Sequence, residues 1–313
     1  MNPNLEGYAA AVFEDAVAAD AAAGLAADLA TLHNTVAHNG PLHALLTDTA
    51  ISGPDRRAVI EDLLADRVGP PARRLAAYAA ARVPGPEVPT ALDWLALRAA
   101  EVADGQPVVE HALGHAAARR RVGGYAAALF EELATDRLEE IEDELFRFAR
   151  TVQSTPPLRS ALTDAELAVD ARVAIVDDLI GAKVQPGTKR LVDFAIIGGR
   201  PRDLVGTLDW LVEQTAAARG WRVARVRAAA PVDEAQQAEL EGSLAHITGS
   251  PVELQVTVEP TLLGGVVVEI GDLLVDATAR GRLDRLREHL LPGGWENRGF
   301  GRLPNGTPSE GAQ

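Results

Sequence analysis

The sequence of 313 residues contains no cysteine. A disulfide framework and a thiolate acting as nucleophile or metal ligand are therefore excluded. No apolar run approaches the roughly 18 residues that a membrane-spanning helix requires. The N-terminal residues also lack the basic region and apolar stretch of a signal peptide. We expect any association with a membrane to go through another protein.

Basic residues are outnumbered, with 30 Lys and Arg against 45 Asp and Glu, and the formal net charge is −15. Nucleic-acid binding requires a cationic face that displaces counterions, and anionic lipid surfaces attract polybasic segments. Both kinds of partner are therefore disfavoured, and the charge favours solubility.

Aromatic residues make up only 4% of the chain, although 47% of it is hydrophobic. Much of that apolar fraction is alanine. Segments rich in alanine and poor in aromatics favour slender helices that approach one another closely. The composition predicts a mainly α-helical protein.

An internal repeat is the most informative feature of the sequence. The segment GYAAAVFED at Gly7–Asp15 returns as GYAAALFEE at Gly124–Glu132, and Leu42–Leu95 aligns without a gap with Leu158–Leu211. Tryptophan, proline and aspartate keep their register, which chance similarity between alanine-rich helices does not explain. The pattern indicates a tandem duplication of a unit of roughly 110 residues, too long and too few in copies for a solenoid.

Proline and glycine breakers divide each copy into about six predicted helices. In the second copy these helices are predicted near Val122–Ala134, Arg137–Ser154, Pro157–Leu162, Asp170–Ile180, Thr188–Ile197 and Asp203–Arg219.

Past Gly220 the apolar pattern changes period: the first segment alternates and the later ones are rich in β-prone residues, both of which predict strands. Strands are expected at Trp221–Ala229, Val252–Val258, Val266–Ile270 and Leu273–Asp276. Asp233 and Gln236 form a predicted capping box that starts a helix between the first two strands. A final helix is expected near Ala279–Leu291, and residues beyond Pro292 have the composition of a disordered tail.

The predicted fold is therefore mainly α: two tandem six-helix bundles followed by a small α+β C-terminal domain. The predicted boundaries are 1–104 for the first bundle, 105–121 for a linker, 122–219 for the second bundle, 220–291 for the α+β domain and 292–313 for the tail.

No pattern of catalytic, cofactor-binding or metal-ligating residues is evident. Gly181–Lys189 imitates a phosphate-binding loop, but its spacing is wrong and it lies between two predicted helices. His111 and His115 share a helix face without a third ligand, and the spacing of His33, His38 and His43 does not let them converge. The Arg119–Arg121 run is expected to be an exposed linker or helix end. We predict no catalytic residue, no cofactor and no metal.

The segment Val258–Leu290 carries the residues by which a family is recognised. It resembles the C-terminal signature of the ATP synthase delta subunit, called oligomycin-sensitivity-conferring protein in mitochondria. The matching residues are Pro260, Leu262, Gly264, Gly265, Gly271, Asp272, Asp276, Arg282, Leu283 and Leu286. Glu259 replaces the usual Asp, and Ala277-Thr278 replaces Gly-Ser. The family's first-helix pattern, Tyr-Ala-x-Ala-Leu-Phe, is present twice, at Tyr8–Phe13 (with Val12 for the Leu) and Tyr125–Phe130, as in the long form of high-GC bacteria.

The resemblance implies a mechanical function. The delta subunit joins the alpha subunits of the catalytic head to the b-subunit stalk, so that proton-driven rotation yields ATP. The partners implied are alpha and b, and the location implied is peripheral, at the cytoplasmic face of the cell membrane. In the family, an alpha-subunit helix binds between the first and fifth helices. Carried over, this groove comprises Tyr8, Val12, Leu75 and Tyr78 in copy one, and Tyr125, Leu129, Leu191 and Phe194 in copy two.

Copy two carries the bulkier side chains, which predicts the tighter contact with alpha. Two alternatives stay open at this point: a free-standing helical adaptor unrelated to ATP synthase, and a helical enzyme that uses an acidic cleft.

Overall fold

The computed structural model describes residues 1–65, 67–109, 114–262, 264–270 and 273–276. They divide into two compact units, one spanning residues 1–222 and one beginning at Val223. Thirteen α-helices and four strands lie among the described residues. The prediction of a mainly helical chain with a small sheet near its C-terminus is confirmed.

Both copies of the duplicated sequence lie in the first unit, and each contributes six α-helices. Those of repeat one are α1 Pro3–Ala18, α2 Ala22–His38, α3 Gly40–Thr47, α4 Gly53–Leu64, α5 Pro70–Arg82 and α6 Val88–Ala103. Those of repeat two are α7 His115–Phe130, α8 Thr135–Ser154, α9 Pro156–Thr163, α10 Val169–Ile180, α11 Pro186–Ile197 and α12 Leu204–Ala218. None of the described helices is long and apolar enough to cross a membrane.

Local sequence explains where many of these helices begin. The side chains of Asn2, Asn39 and Ser52 accept hydrogen bonds from backbone amides of the first turns of α1, α3 and α4. Proline follows within the first two positions of all three helices, where its missing amide costs nothing. One boundary differs from the sequence-based prediction: α7 begins at His115, so the second half of the predicted linker 105–121 is helical.

The second unit is built on a four-stranded sheet with the order β2-β1-β3-β4. Its elements are β1 Arg222–Ala228, α13 Glu234–Thr248, β2 Val252–Val258, β3 Val266–Ile270 and β4 Leu273–Asp276. Strand β3 pairs antiparallel with both β1 and β4. The predicted capping box of Asp233 and Gln236 is present at the start of α13.

The core of this second unit is formed by one face of the sheet and α13. Its fully buried members are Ala224, Val226, Leu244, Val252, Val268 and Ile270. The predicted final helix near 279–291 and the predicted tail lie outside the described residues.

Candidate functional site

The two repeats meet through their first helices, α1 and α7, which pack closely against each other. Glycine at the crossing permits direct backbone contact. A Cβ atom added to Gly7 would lie 1.7 Å from the carbonyl oxygen of Arg121, and one added to Gly124 would lie 1.9 Å from that of Asn4. Since no real Cβ approaches so closely, only glycine fits at either position.

Polar contacts across this crossing occur in equivalent pairs. The Tyr8 hydroxyl donates a hydrogen bond to Glu131, and the Tyr125 hydroxyl donates one to Glu14. The two tyrosines occupy equivalent positions in the repeated sequence, and so do the two glutamates. A rotation that exchanges the repeats therefore exchanges the two hydrogen bonds, and the interface has pseudo-two-fold symmetry.

Two arginines on the fifth helices extend the symmetry. Arg74 of α5 donates to the Ala128 carbonyl at 2.9 Å, and Arg190 of α11 lies 3.5 Å from the equivalent Ala11 carbonyl. Each guanidinium also lies 5.8 Å from the centre of the tyrosine ring of its own repeat. Arg74 forms an ion pair with Glu132, while Arg190 pairs with Asp15 at 2.9 Å.

Burial sets the electrostatics of the interface. It raises the pKa of Glu14, against the lowering effects of the Tyr125 hydroxyl and the Arg190 guanidinium. Burial also raises the pKa values of Tyr8 and Tyr125 well above their usual range, and the adjacent glutamates add to the rise. These hydroxyls therefore stay protonated as hydrogen-bond donors at any physiological pH.

All eight residues predicted to line an alpha-binding groove are buried by this chain's own helices. Tyr8 stacks on Tyr78 and Tyr125 stacks on Phe194, each with ring centroids 3.8 Å apart. The eight, none more than 7% exposed, are Tyr8, Val12, Leu75, Tyr78, Tyr125, Leu129, Leu191 and Phe194. Leu129, Leu191 and Phe194, the bulkier members that copy two contributes to this set, are thus covered by the chain's own helices.

Arg121 is an interface residue that the sequence analysis missed. It is only 3% exposed, and its guanidinium donates to the Gly198 carbonyl at 2.8 and 3.1 Å. The expectation that Arg119–Arg121 is an exposed run is thus wrong for this residue, because α7 starts earlier than predicted and turns it inward. Burial lowers the pKa of Arg121.

An open pocket of about 410 Å³ lies in repeat one between α1, α2 and α5. Val12, Ala16 and Leu25 contribute to its largely apolar wall, and Arg74 and Glu132 lie at its edge. At the equivalent place in repeat two, the Cδ1 atoms of Leu133 and Ile141 come within 3.6 and 2.7 Å of where a Gly187 Cβ would be. Leu133 stands where repeat one has the smaller Ala16, and Ile141 stands where repeat one has Leu25.

The C-terminal signature supports the turn between β2 and β3. Gly264 and Gly265 have φ values of 73° and 83°, in the region that glycine adopts without strain. Asp276 ends β4 and pairs with Val267 of β3, and Pro260 follows the end of β2. Gly271, Asp272 and Leu283 lie outside the described residues.

The segments that imitate catalytic or binding sites have structural partners. Lys189 lies in α11 and forms ion pairs with Asp193 at 2.5 Å and Asp177 at 3.5 Å, and the residues before that helix form the loop from α10. His115 contacts Asp203 at 2.7 Å, while His111 lies outside the described residues. No cluster of three or more potential metal ligands occurs in the described part of the chain.

Comparison with known proteins matches both repeats and the second unit to one family. The model of the ATP synthase delta (OSCP) subunit matches residues 6–87 and 122–290. The ATP synthase subunit delta of Salinispora arenicola is 34% identical over 270 residues, which cover 86% of this chain and 89% of that protein. The subunit delta of a Parafrankia species is 39% identical over 164 residues, 52% of this chain and 59% of that protein.

Among solved structures, a chain of the Toxoplasma gondii mitochondrial ATP synthase hexamer has a TM-score of 0.38 and 21% identity. It covers 55% of this chain and 98% of that one. We draw nothing further from so distant a structural similarity.

The chain belongs to the ATP synthase delta (OSCP) subunit family. It is accordingly a non-catalytic structural subunit, as predicted from the sequence. Membership of this family excludes both alternatives, the unrelated adaptor and the helical enzyme.

Proposed function

We propose that this chain joins the alpha subunits of the catalytic head to the b-subunit stalk of an F-type ATP synthase. The observation that carries the proposal is the match of one family to both repeats and to the C-terminal unit. In this role the chain lies peripherally at the cytoplasmic face of the cell membrane and touches the membrane only through the complex. Each repeat acts as a six-helix bundle that faces the head, and the α+β unit holds the stalk.

The symmetric interface suits this mechanical role. A stator has to resist torque. Two bundles joined only by a flexible linker would rotate relative to each other and would not transmit that torque. Direct backbone contact at Gly7 and Gly124 leaves no gap between α1 and α7. Charge-assisted hydrogen bonds from Tyr8 and Tyr125 join the two repeats, and an aromatic stack within each repeat holds its tyrosine in place. The repeats therefore act as one stiff body.

For the alpha subunit, we propose the open pocket of repeat one as the point of attachment. An amphipathic helix binds in an apolar groove. The wall of this pocket contains small and branched apolar side chains from α1, α2 and α5. Val12 is the member of the predicted set that lines it. In repeat two, the larger Leu133 stands in place of Ala16 of this wall, so we propose that alpha binds more tightly to repeat one.

Titration of a labelled alpha N-terminal peptide against the full chain tests this assignment. Gly24 lines the pocket and has nothing within 4 Å of its Cβ position. Gly24→Trp fills the space and is expected to weaken binding at least tenfold. Glu140→Trp, at the equivalent exposed position of repeat two, is the matched control and leaves binding unchanged. The reverse order of effects would contradict the choice of repeat one.

The b-subunit contact is tested separately by pull-down of the b subunit with the full chain. Retention of b by a chain that ends after Arg222 would contradict the assignment of the stalk to the second unit.

A further inference from the structure

The pseudo-two-fold symmetry relates two grooves in the first unit, one filled and one open. The first lies between α1 and α6 of repeat one, and the second between α7 and α12 of repeat two. Their walls share three equivalent pairs of residues, and the members of the open groove are Gly123, Phe130 and Gln214. Glu6, Phe13 and Arg98 stand at these positions in the filled groove.

The chain itself fills the first groove. After α6 the segment 104–109 folds back, and Val108 and Val109 close over Phe13, leaving a cavity of only about 50 Å³. Arg98 of α6 holds the segment by donating a hydrogen bond to the Pro107 carbonyl. As a result Phe13 is 2% exposed.

The second groove has no such cover among the described residues. It measures about 370 Å³ and is lined by Phe130, by small residues of α7 and α12, and by Tyr78 of repeat one. Phe130 is only half-buried, in contrast to Phe13. Gln214 replaces Arg98, and its side-chain amide has no hydrogen-bond partner in the part of the chain that the structure describes. It remains able to donate to a peptide carbonyl as Arg98 does.

The rim of the open groove is basic on the side that repeat one contributes. Arg57 and Arg82 both line it. Arg57 is already paired with Glu61 and Glu131. The exposed Arg82 guanidinium, by contrast, has no ion pair or hydrogen bond within the described ranges, so an occupant with a carboxylate would complement it.

We propose that the open groove binds an extended segment of a partner protein that carries two adjacent β-branched residues and a nearby carboxylate. The segment 104–109 (Asp-Gly-Gln-Pro-Val-Val) serves as the internal template for this ligand. In the open groove, the valine pair of the ligand covers Phe130, and the carbonyl before that pair accepts a hydrogen bond from Gln214. The acidic side chain of the ligand pairs with Arg82. This site is separate from the alpha-subunit pocket and does not rest on the proposed function.

A synthetic peptide with the sequence of residues 104–109 tests the proposal, titrated against the full chain by NMR. Tethered segments act at effective concentrations of about 1 mM, so an intrinsic dissociation constant of about that size suffices in the filled groove. We expect saturable binding of this strength, with shifts confined to residues around Phe130. A peptide ending in Ser-Ser in place of Val-Val is expected not to bind.

Variants of the full chain sharpen the test. Ala217 is exposed and lines the groove, so Ala217→Trp fills it and is expected to weaken binding at least tenfold. Ala37→Trp, at an exposed position on α2, is the control and changes nothing. Gln214→Ala and Arg82→Glu, which leave the groove open, are each expected to weaken binding several-fold.

Three results would overturn the proposal: equal binding by the Ala217→Trp variant, equal binding of the Ser-Ser peptide, or no saturation up to about 10 mM. Tighter binding of an amphipathic helical peptide at the same groove would also overturn it, because the occupant would then be a helix. Concentration-dependent dimerisation that Ala217→Trp abolishes would count against it in the same way, because the occupant would be a second copy of the chain.

Discussion

Replacing Gly7 by alanine tests the contact between the repeats most sharply, because the expected sign is the reverse of the usual one. In an exposed helix interior, Gly→Ala stabilises a protein by up to about 1 kcal/mol. At Gly7 the new Cβ would lie 1.7 Å from a backbone oxygen, whereas real Cβ contacts are longer than 3.0 Å. Backbone cannot rotate away as a side chain can, so α1 and α7 have to separate.

The size of the destabilisation follows from the contacts that are lost when α1 and α7 separate. Overpacking costs about 1–3 kcal/mol. Stretching the two Tyr–Glu hydrogen bonds forfeits about 1 kcal/mol each, and the gain in helix propensity offsets about 1 kcal/mol. We expect Gly7→Ala to lower the free energy of unfolding by about 2–4 kcal/mol. The double variant with Gly124→Ala should lower the free energy of unfolding by less than the sum of the two single effects, since one separation of the helices relieves both clashes.

Urea unfolding followed by far-UV circular dichroism measures this effect, because twelve of the thirteen described α-helices lie in the first unit. Gly242→Ala is the control, at an exposed position of α13 with nothing near its Cβ site, and it is expected to destabilise nothing. If Gly7→Ala were as stable as the wild-type chain, the close crossing of α1 and α7 would be refuted.

Three further predictions follow from the same interface. Tyr8→Phe and Tyr125→Phe should each lower the free energy of unfolding by about 1 kcal/mol, and a difference above about 1 kcal/mol between them would contradict the symmetry. The raised pKa of Glu14 means that the folded state binds its proton more tightly than the unfolded state. Its contribution to stability is therefore present at acid pH and is lost as pH rises through the folded pKa. Glu14→Gln should accordingly make stability less dependent on pH above about 4.3, the usual pKa of an unfolded glutamate, and an unchanged profile of unfolding free energy against pH would refute this. Cleavage at a protease site introduced within residues 104–109 should leave both repeats in one peak on gel filtration, and separation of the fragments would show that the linker holds them together.

Much of the secondary structure could be predicted from the sequence because its signals are local. Proline and glycine breakers placed the helices of repeat two within a few residues, except that α7 begins at His115 and not at Val122. Alternation at Trp221–Ala229 and β-prone composition further on located the four strands of the described region, and Asp233 with Gln236 marked the start of α13. Each of these signals depends only on neighbours along the chain.

The contact between the repeats could not be predicted in the same way, because it joins residues more than a hundred positions apart. Tyr8 and Glu131 carry no local sign of their pairing. A signal was nevertheless present: the glycine before each repeated tyrosine lies inside a predicted helix, where glycine is costly without a packing reason. The close backbone contact between α1 and α7 at Gly7 and Gly124 supplies that packing reason. The apolar residues predicted to line an open groove are buried.

Functional reconstitution tests whether this chain links the catalytic head to the stalk. Membrane vesicles carrying the ATP synthase of the source organism are stripped of the catalytic head and of this subunit, then supplied with the head alone or with the head and this chain. The account predicts that ATP-driven proton pumping returns only when the chain is present, because the head is otherwise free to turn with the rotor. Equal pumping with and without the chain would contradict its role as the link between head and stalk.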